Sequence, residues 1–217
     1  MEKIIIFGDK DLAQLAFFYI NNEKKYEIEC FTVHQKFLTK KEFCGKPVIP
    51  FENLESVCPP ESYKMFAPIT GVKMNDLRTK IYTEGKQKGY EFISYISPKC
   101  TNYASKIGEN CFILEDNTLQ PFVEIENNVV LWSGNHIGHH SVIRNNVFFT
   151  SHVVLSGHCD VGENSWLGVN STIRDQTKIG KYSLIAMGSL LTKNTDDYGF
   201  YMGSPAKKQE KTSLEVY

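Results

Sequence analysis

One period constrains this chain more than any other feature. Starting at Ile107 and stepping by six, the sequence reads Ile107, Ile113, Leu119, Ile125, Leu131, Ile137, Ile143, Phe149, Leu155, Val161, Leu167, Ile173, Ile179, Ile185, Leu191 without a slip. If roughly a third of positions are this apolar, chance produces such a run with odds on the order of one in ten million. The position four residues after each hit is also restricted, from Cys111, Asn117 and Val123 through Ser183 and Ser189, and every occupant is small. Gly108, Gly138, Gly162, Gly168 and Gly180 directly follow an aliphatic residue, where a tight corner would favour glycine.

A period of six with one large and one small inward position suits a short strand and a corner, repeated so that the chain coils. Helical periodicity does not produce it, because positions 3.6 residues apart are not systematically apolar here. Three strands make one coil of 18 residues, and coils stack about 4.8 Å apart. Residues 107–193 are therefore expected to form about five coils of parallel β-helix, with no long loop, so a site must use the coil surface or the groove between neighbouring copies.

Residues 1–96 obey another rule. Lys3–Phe7 reads as a buried strand, Gly8–Asp11 as a turn, and Leu12, Leu15, Ala16 and Tyr19 share one helical face. Tyr26–Val33 alternates like a second strand, Tyr63–Ala67 suggests a third, Asn75 or Asp76 caps a helix to about Lys88, and Glu91–Ile96 closes with another strand. Gly45–Pro47 and Pro59–Pro60 punctuate loops. The pattern predicts a small parallel α/β domain over 1–96, a linker over 97–106 and a C-terminal extension over 194–217, with Asp196, Asp197 and Gly199 marking the turn out of the coil.

Charge narrows the partners. With 24 Lys+Arg against 25 Asp+Glu, the chain offers no basic stripe for nucleic-acid phosphates. The six cysteines are scattered without a C-x-x-C pair, and there is neither a secretory h-region nor a membrane-length apolar run, so a reduced, cytoplasmic location without membrane partners is expected. Five of the six histidines, His136, His139, His140, His152 and His158, crowd into one short stretch.

The 18-residue coil turns that crowding into columns. His139 stacks beside Gly157, and His140 beside His158. An imidazole about 4.8 Å along a column from an open glycine amide is a candidate general base next to an oxyanion donor. In the N-terminal domain, Gly8-Asp9-Lys10-Asp11 follows a strand and opens a helix, where exposed N–H groups favour phosphate. A dinucleotide fingerprint would need two more glycines, which argues against a redox dinucleotide.

The repeat, the run Leu131–His140 (Leu-Trp-Ser-Gly-Asn-His-Ile-Gly-His-His) and Gly203-Ser-Pro-Ala-Lys207 resemble the hexapeptide-repeat acyltransferases, in particular the nucleotide-sugar and sialic-acid-type acetyltransferases. That resemblance implies a left-handed β-helix after a Rossmann-like nucleotide-sugar-binding domain, a homotrimer with intersubunit active sites, acetyl-CoA as cosubstrate, no metal, and a role in bacterial surface glycan or lipopolysaccharide biosynthesis. Laid hexad on hexad, it puts the catalytic histidine on His139 and the glycine amide at the thioester carbonyl on Gly157. His140 stands where some members carry an orienting glutamate, with Glu124 and Glu126 as substitutes for that carboxylate. Met187 and Gly188, within Ile185–Ser189, and Lys207 or Lys208 would follow the pantetheine and 3′-phosphate of CoA. Gly8, Asp9 and Lys10 would meet phosphate, Thr32, Val33 and His34 the base, and Asn75 and Arg78 the sugar or phosphate. Asn135 and His136 would hold the acceptor or the histidine tautomer.

The implied reaction is acetyl transfer to an amine, or a hydroxyl as in sialic-acid O-acetylation, by direct attack. Two other classes compete. A γ-type carbonic-anhydrase-like metalloenzyme would use zinc-binding histidines such as His152 and His158, and a non-catalytic trimeric scaffold would bind a nucleotide-sugar without CoA.

Overall fold

The computed structural model describes residues 1–217. They divide into two compact units, one of Met1–Thr70 with Lys80–Ile93, the other of Gly71–Thr79 with Ser94–Tyr217. No helix is long and apolar enough to cross a membrane.

The first unit contains β1 (Glu2–Phe7), α1 (Asp11–Glu23), β2 (Tyr26–Val33), β3 (Glu42–Phe43), β4 (Lys46–Pro50), α2 (Leu54–Val57), β5 (Lys64–Phe66) and most of α3 (Asp76–Gln87). The sheet order is β3-β4-β2-β1-β5. All neighbours pair parallel except β3 with β4. Ile4, Ile5 and Ile6 of β1 are fully buried, as a central parallel strand requires. Two expectations fail. Gly45–Pro47 leads into β4 rather than a loop, its prolines tolerated because only two-residue β3 lies beyond it. Glu91–Ile96 is no strand of this sheet. Phe92 makes one bridge to Met65, and Tyr95–Ile96 pairs with Phe112–Ile113 in the second unit.

The coil of the second unit is built of two-residue strands in three parallel sheets, one of which ends in the longer antiparallel pair Gly199–Gly203 and Ala206–Thr212. Register follows the period: Thr118 pairs with His136, His136 with Val154, and Val154 with Thr172. From Ile113 to Leu191, every sixth residue is no more than 3% exposed, and the small companions from Cys111 to Ser189 are buried with them. Each buried aliphatic contributes about 1.5–3 kcal/mol, and coil-to-coil backbone hydrogen bonds of 2.8–3.3 Å stitch the stack. Parallel sheets and hexads together fit a left-handed β-helix preceded by an α/β unit. The sheets also reach past the hexad run. Thr101–Asn102, inside the expected linker, pairs with Thr118–Leu119, and Gly199–Gly203 continues beyond Leu184–Ile185. At both ends the coil is shorter than 18 residues, so a strict six-residue step does not find them.

The corners correct the reading of the glycines. Every sixth residue from Asn110 to Gly188 has φ between +53° and +79°, three positions after the inward aliphatic. That left-handed corner is filled chiefly by Asn, His and Gly, which tolerate it best. Gly138 and its four equivalents turn no corner. A Cβ on Gly138 would lie 2.5 Å from the backbone N of Gly157 in the next coil, so these glycines permit close approach between coils.

One corner column is an asparagine ladder. Asn110 Nδ2 donates to Asn128 Oδ1 (2.8 Å), Asn128 Nδ2 to Asn146 Oδ1 (2.8 Å), and Asn146 Nδ2 to Asn164 Oδ1 (3.0 Å). Residues 71–79 lie on it. Asn164 Nδ2 donates to Met74 O and Thr79 Oγ1 (both 3.2 Å), Asn75 Nδ2 donates to Asn164 O (3.1 Å), and Arg78 Nη2 donates to Asn128 O (2.7 Å).

Candidate active site

A second corner column carries Phe122, His140 and His158, and the position just before it carries His139 and then Gly157. The corner joins the strand His136–Ile137 to Val142–Ile143. His140 stacks on His158 with centroids 4.8 Å apart and planes 14° apart, and on its other side lies the Phe122 ring at 4.6 Å. The predicted His140–His158 pair is thus present, held in an aromatic sandwich.

His139 stands edge-on to both, its centroid 5.2 Å from His140 and 5.0 Å from His158 with planes near perpendicular. Its Nδ1 lies 3.0 Å from Nδ1 of His140, so one proton is shared between two ring nitrogens. The Cε1 end of the ring faces Gly157: a Cβ there would lie 2.9 Å from Cε1, 3.0 Å from Nε2 and 3.3 Å from Nδ1 of His139. Backbone pins the imidazole further, since His139 N–H donates to Gln120 Oε1 (2.9 Å) and His139 O accepts from His158 N–H (2.9 Å). At equivalent hexad positions the N–H groups of Glu109, Asn127, Asn145 and Lys181 donate to side chains of the next or previous coil, whereas those of Ser133, Ser151, Glu163, Val169, Asp175 and Met187 have no partner in the protein. The Gly157 N–H makes no hydrogen bond within the protein.

Gln120 and Phe122 were not singled out from sequence. Stepping the 18-residue register downward as well as upward would have found Phe122 beneath His140. Neither substitute carboxylate reaches His139: Glu126 is engaged by Arg144 (3.3 Å) and the Asn145 N–H (3.0 Å), and Glu124 is an exposed strand residue. The Arg144 guanidinium is held well above its usual value by its bidentate bond to Asp160, with Glu126 adding to the effect.

Other predicted residues divide by burial. Asn135 is 1% exposed, and its Oδ1 accepts from the Val153 N–H while Asn117 Oδ1 accepts from its own N–H, so it is an internal rung and not an acceptor ligand. His136 stands half-exposed on the outward sheet face, three residues ahead of His139. Arg78, expected at a sugar or phosphate, is 1% exposed against the asparagine ladder and lies over the Phe148 ring at 5.5 Å. Burial pushes its guanidinium well below the usual value. Asn75 is fully buried on Asn164, and Thr32 is fully buried with its hydroxyl donating to Ile49 O (2.8 Å). These four cannot touch substrate through their side chains in this conformation. Val33 and Asp9 are buried as well.

Around the end of β2 the predicted Gly8, Lys10 and His34 keep access to solvent. Gly8 adopts φ +116° in the turn before α1, and Lys10 is exposed at its N-cap. His34 Nε2 is 2.8 Å from Glu84 Oε2, and both line a cavity of about 480 Å³ with Phe51, Glu52, Gln87 and Lys88. In parallel sheets, ligands sit at the carboxyl ends of strands.

Met187 (77% exposed) and left-handed Gly188 occupy a different corner, between Leu184–Ile185 and Leu190–Leu191. Lys207 is exposed on the terminal strand Ala206–Thr212, while its neighbour Lys208 is paired with Asp196 at 2.8 Å. One chain therefore does not bring Met187 and Gly188 to the His139 corner. His152 lies on that other corner too, its ring against Gly134, so the His152–His158 metal pairing is not formed.

Comparison with known proteins agrees with this architecture. The bacterial transferase hexapeptide (six repeats) matches residues 104–139, and the hexapeptide repeat of succinyl-transferase matches 160–193. The chain thus carries the hexapeptide repeat of the bacterial transferases. An acyl-[acyl-carrier-protein]–UDP-N-acetylglucosamine O-acyltransferase of Sinorhizobium fredii is 31% identical over 106 residues, covering 46% of this chain and 39% of that protein. The chain spans at most about two fifths of the curated relatives it matches. Among solved structures, the acetyltransferase domain of PglB from Neisseria gonorrhoeae shares the fold with a TM-score of 0.85 at 22% identity, covering 96% of this chain and 100% of that one. A mutant of perosamine N-acetyltransferase from Caulobacter crescentus, in complex with CoA and GDP-perosamine, superposes with a TM-score of 0.86 at 17% identity over 96% and 97%.

Proposed function

We propose that the chain is an acetyl-CoA-dependent acetyltransferase acting on a nucleotide-linked sugar. The observation that carries this reading is the His139 imidazole set against the unbonded amide of Gly157. The acceptor amine attacks the thioester carbonyl, His139 Nε2 takes its proton, and the Gly157 N–H stabilises the tetrahedral oxyanion. Collapse expels the CoA thiolate, which is protonated on leaving. A positioned base contributes about 10²–10⁴-fold and one oxyanion donor about 10²–10³-fold.

His140 takes the part of an orienting acceptor. With the His139 proton on Nδ1 and directed at His140 Nδ1, the lone pair on Nε2 is free for the acceptor. A neutral imidazole supplies the hydrogen bond without a carboxylate's charge.

The nucleotide belongs to the N-terminal unit, whose parallel order β4-β2-β1-β5 supports a Rossmann-like mononucleotide fold. Gly8 and Lys10 would meet phosphate, and His34 the base. CoA runs along Met187, Gly188 and Lys207. Because Met187 and Gly188 lie on another corner from His139, a homotrimer of left-handed helices, each of about five coils, completes the site between neighbouring copies in the cytoplasm. A 4-amino-4,6-dideoxy sugar is the preferred acceptor, and relatives in the comparison carry both N- and O-acyl transfer in their names. Release of free thiol from acetyl-CoA across a panel of nucleotide-linked amino sugars and sialic acid tests the reading. Turnover with an amino sugar and its loss in His139→Ala are expected. Wild-type kcat in that variant would remove His139 from the mechanism.

A further inference from the structure

The three imidazoles at the His139 corner come within reach of a single ion. One nitrogen from each of His139, His140 and His158 lies within 4.8 Å of the others, and all three residues are exposed. Two adjacent coils fix their backbones: His139 and His140 are neighbours, and His158 N–H is bonded to His139 O. The other histidines do not join them. His34 is paired with Glu84, His152 packs against Gly134 on another corner, and His136 lies on a sheet face.

We propose that His139, His140 and His158 form a binding site for one first-row transition-metal ion, such as Zn²⁺ or Ni²⁺, whose occupancy shuts off the site. A set of three neutral imidazoles selects this class and not Mg²⁺ or Ca²⁺, which take oxygen ligands. Tetrahedral coordination at ~2.0–2.1 Å puts ligand nitrogens about 3.3 Å apart. The 3.0 Å separation between the two Nδ1 atoms already approaches that value. His158, now parallel to His140, closes the third edge by rotating its exposed ring out of the stack. The fourth position stays open to water.

The metal replaces the proton between His139 and His140. With His139 ligated through Nδ1, its remaining proton resides on Nε2, and the lone pair turned toward Gly157 is lost. Inhibition therefore rests on the proposed role of His139 as base, whereas binding does not.

Equilibrium dialysis of tag-free protein against Zn²⁺ and Ni²⁺, in a Cys44→Ser/Cys100→Ser background that removes the partly exposed thiols, tests the binding directly. About one ion per chain is expected, with affinity reduced at least tenfold in His140→Gln and again in His158→Gln. No stoichiometric ion in the parent protein, or affinity unchanged by both substitutions, overturns the site. Where acetyl transfer is measurable, stoichiometric Zn²⁺ should abolish it and a chelator restore it, and transfer that persists in the loaded protein overturns the inhibitory role. Absence of acetyl transfer with every acceptor would count against the proposed function, while dialysis would still decide the metal site.

Discussion

A methyl group at Gly157 would lie 2.9 Å from Cε1 of His139, inside van der Waals contact, and Gly157 has no left-handed φ to preserve. Gly157→Ala should therefore fold normally but push the imidazole aside. Since displacement by about 1 Å can cost on the order of 10²-fold in rate, kcat is expected to fall by that much with little change in thermal midpoint. Wild-type turnover in this variant would mean that the pair is not used. Burial sets a second residue-scale expectation. It raises the Cys100 and Cys111 thiols to about 11 and pushes Cys30, Cys58 and Cys159 upward as well. At pH 8 these groups are almost wholly protonated, and the thiolate fraction grows as pH approaches the raised values. Burial raises the Cys44 thiol too, against the opposing charge of Lys40, but this side chain is only partly buried, so a thiol reagent should label Cys44 first in native protein and all six cysteines only after denaturation. The His139–Gly157 neighbourhood was legible because a register fixes which residues stack. Arg78 was not. It sits on a helix whose local pattern reads as solvated, and its burial depends on a ladder that approaches residues 71–79 from far along the chain.

The same contrast holds for elements. Inward positions announced themselves through size and polarity, whereas corners are defined by backbone torsion, to which a hydrophobic count is blind. Asparagine at Asn110, Asn128, Asn146 and Asn164 was the available signal, being both tolerant of left-handed φ and able to bond along a column. The ladder is also where Arg78 finds acceptors, while its Nε and Nη1 have none. Asn128→Ala removes two ladder bonds and a side-chain acceptor and puts alanine at φ +57°. It should cost about 2–4 kcal/mol in urea unfolding. Arg78→Met removes a desolvated charge while keeping volume over Phe148, and should change stability by less than about 1.5 kcal/mol. If Arg78→Met proved the more damaging, the guanidinium would be a keystone of the ladder and not a tolerated passenger.

At the scale of the whole molecule, the separation of two corners becomes an experiment. His139 and Gly157 lie on one corner, Met187 and Gly188 on another, so a site that needs both must be shared between copies. In the proposed cyclic trimer each contact would join one face of a subunit to a different face of the next, and every site would draw its proposed base from one chain and its proposed CoA corner from the neighbour. Mixing His139→Ala chains with Met187→Glu chains, each inactive alone, then rebuilds intact sites wherever an unmodified His139 meets an unmodified Met187. Random assembly at equal amounts gives about one quarter of wild-type sites in such a ring. Subunits refolded together should regain that fraction of thiol release, and subunits mixed without exchange should regain none. If the two residues served one site within a single chain, no mixture would recover activity, because every chain would carry a defect in its own site.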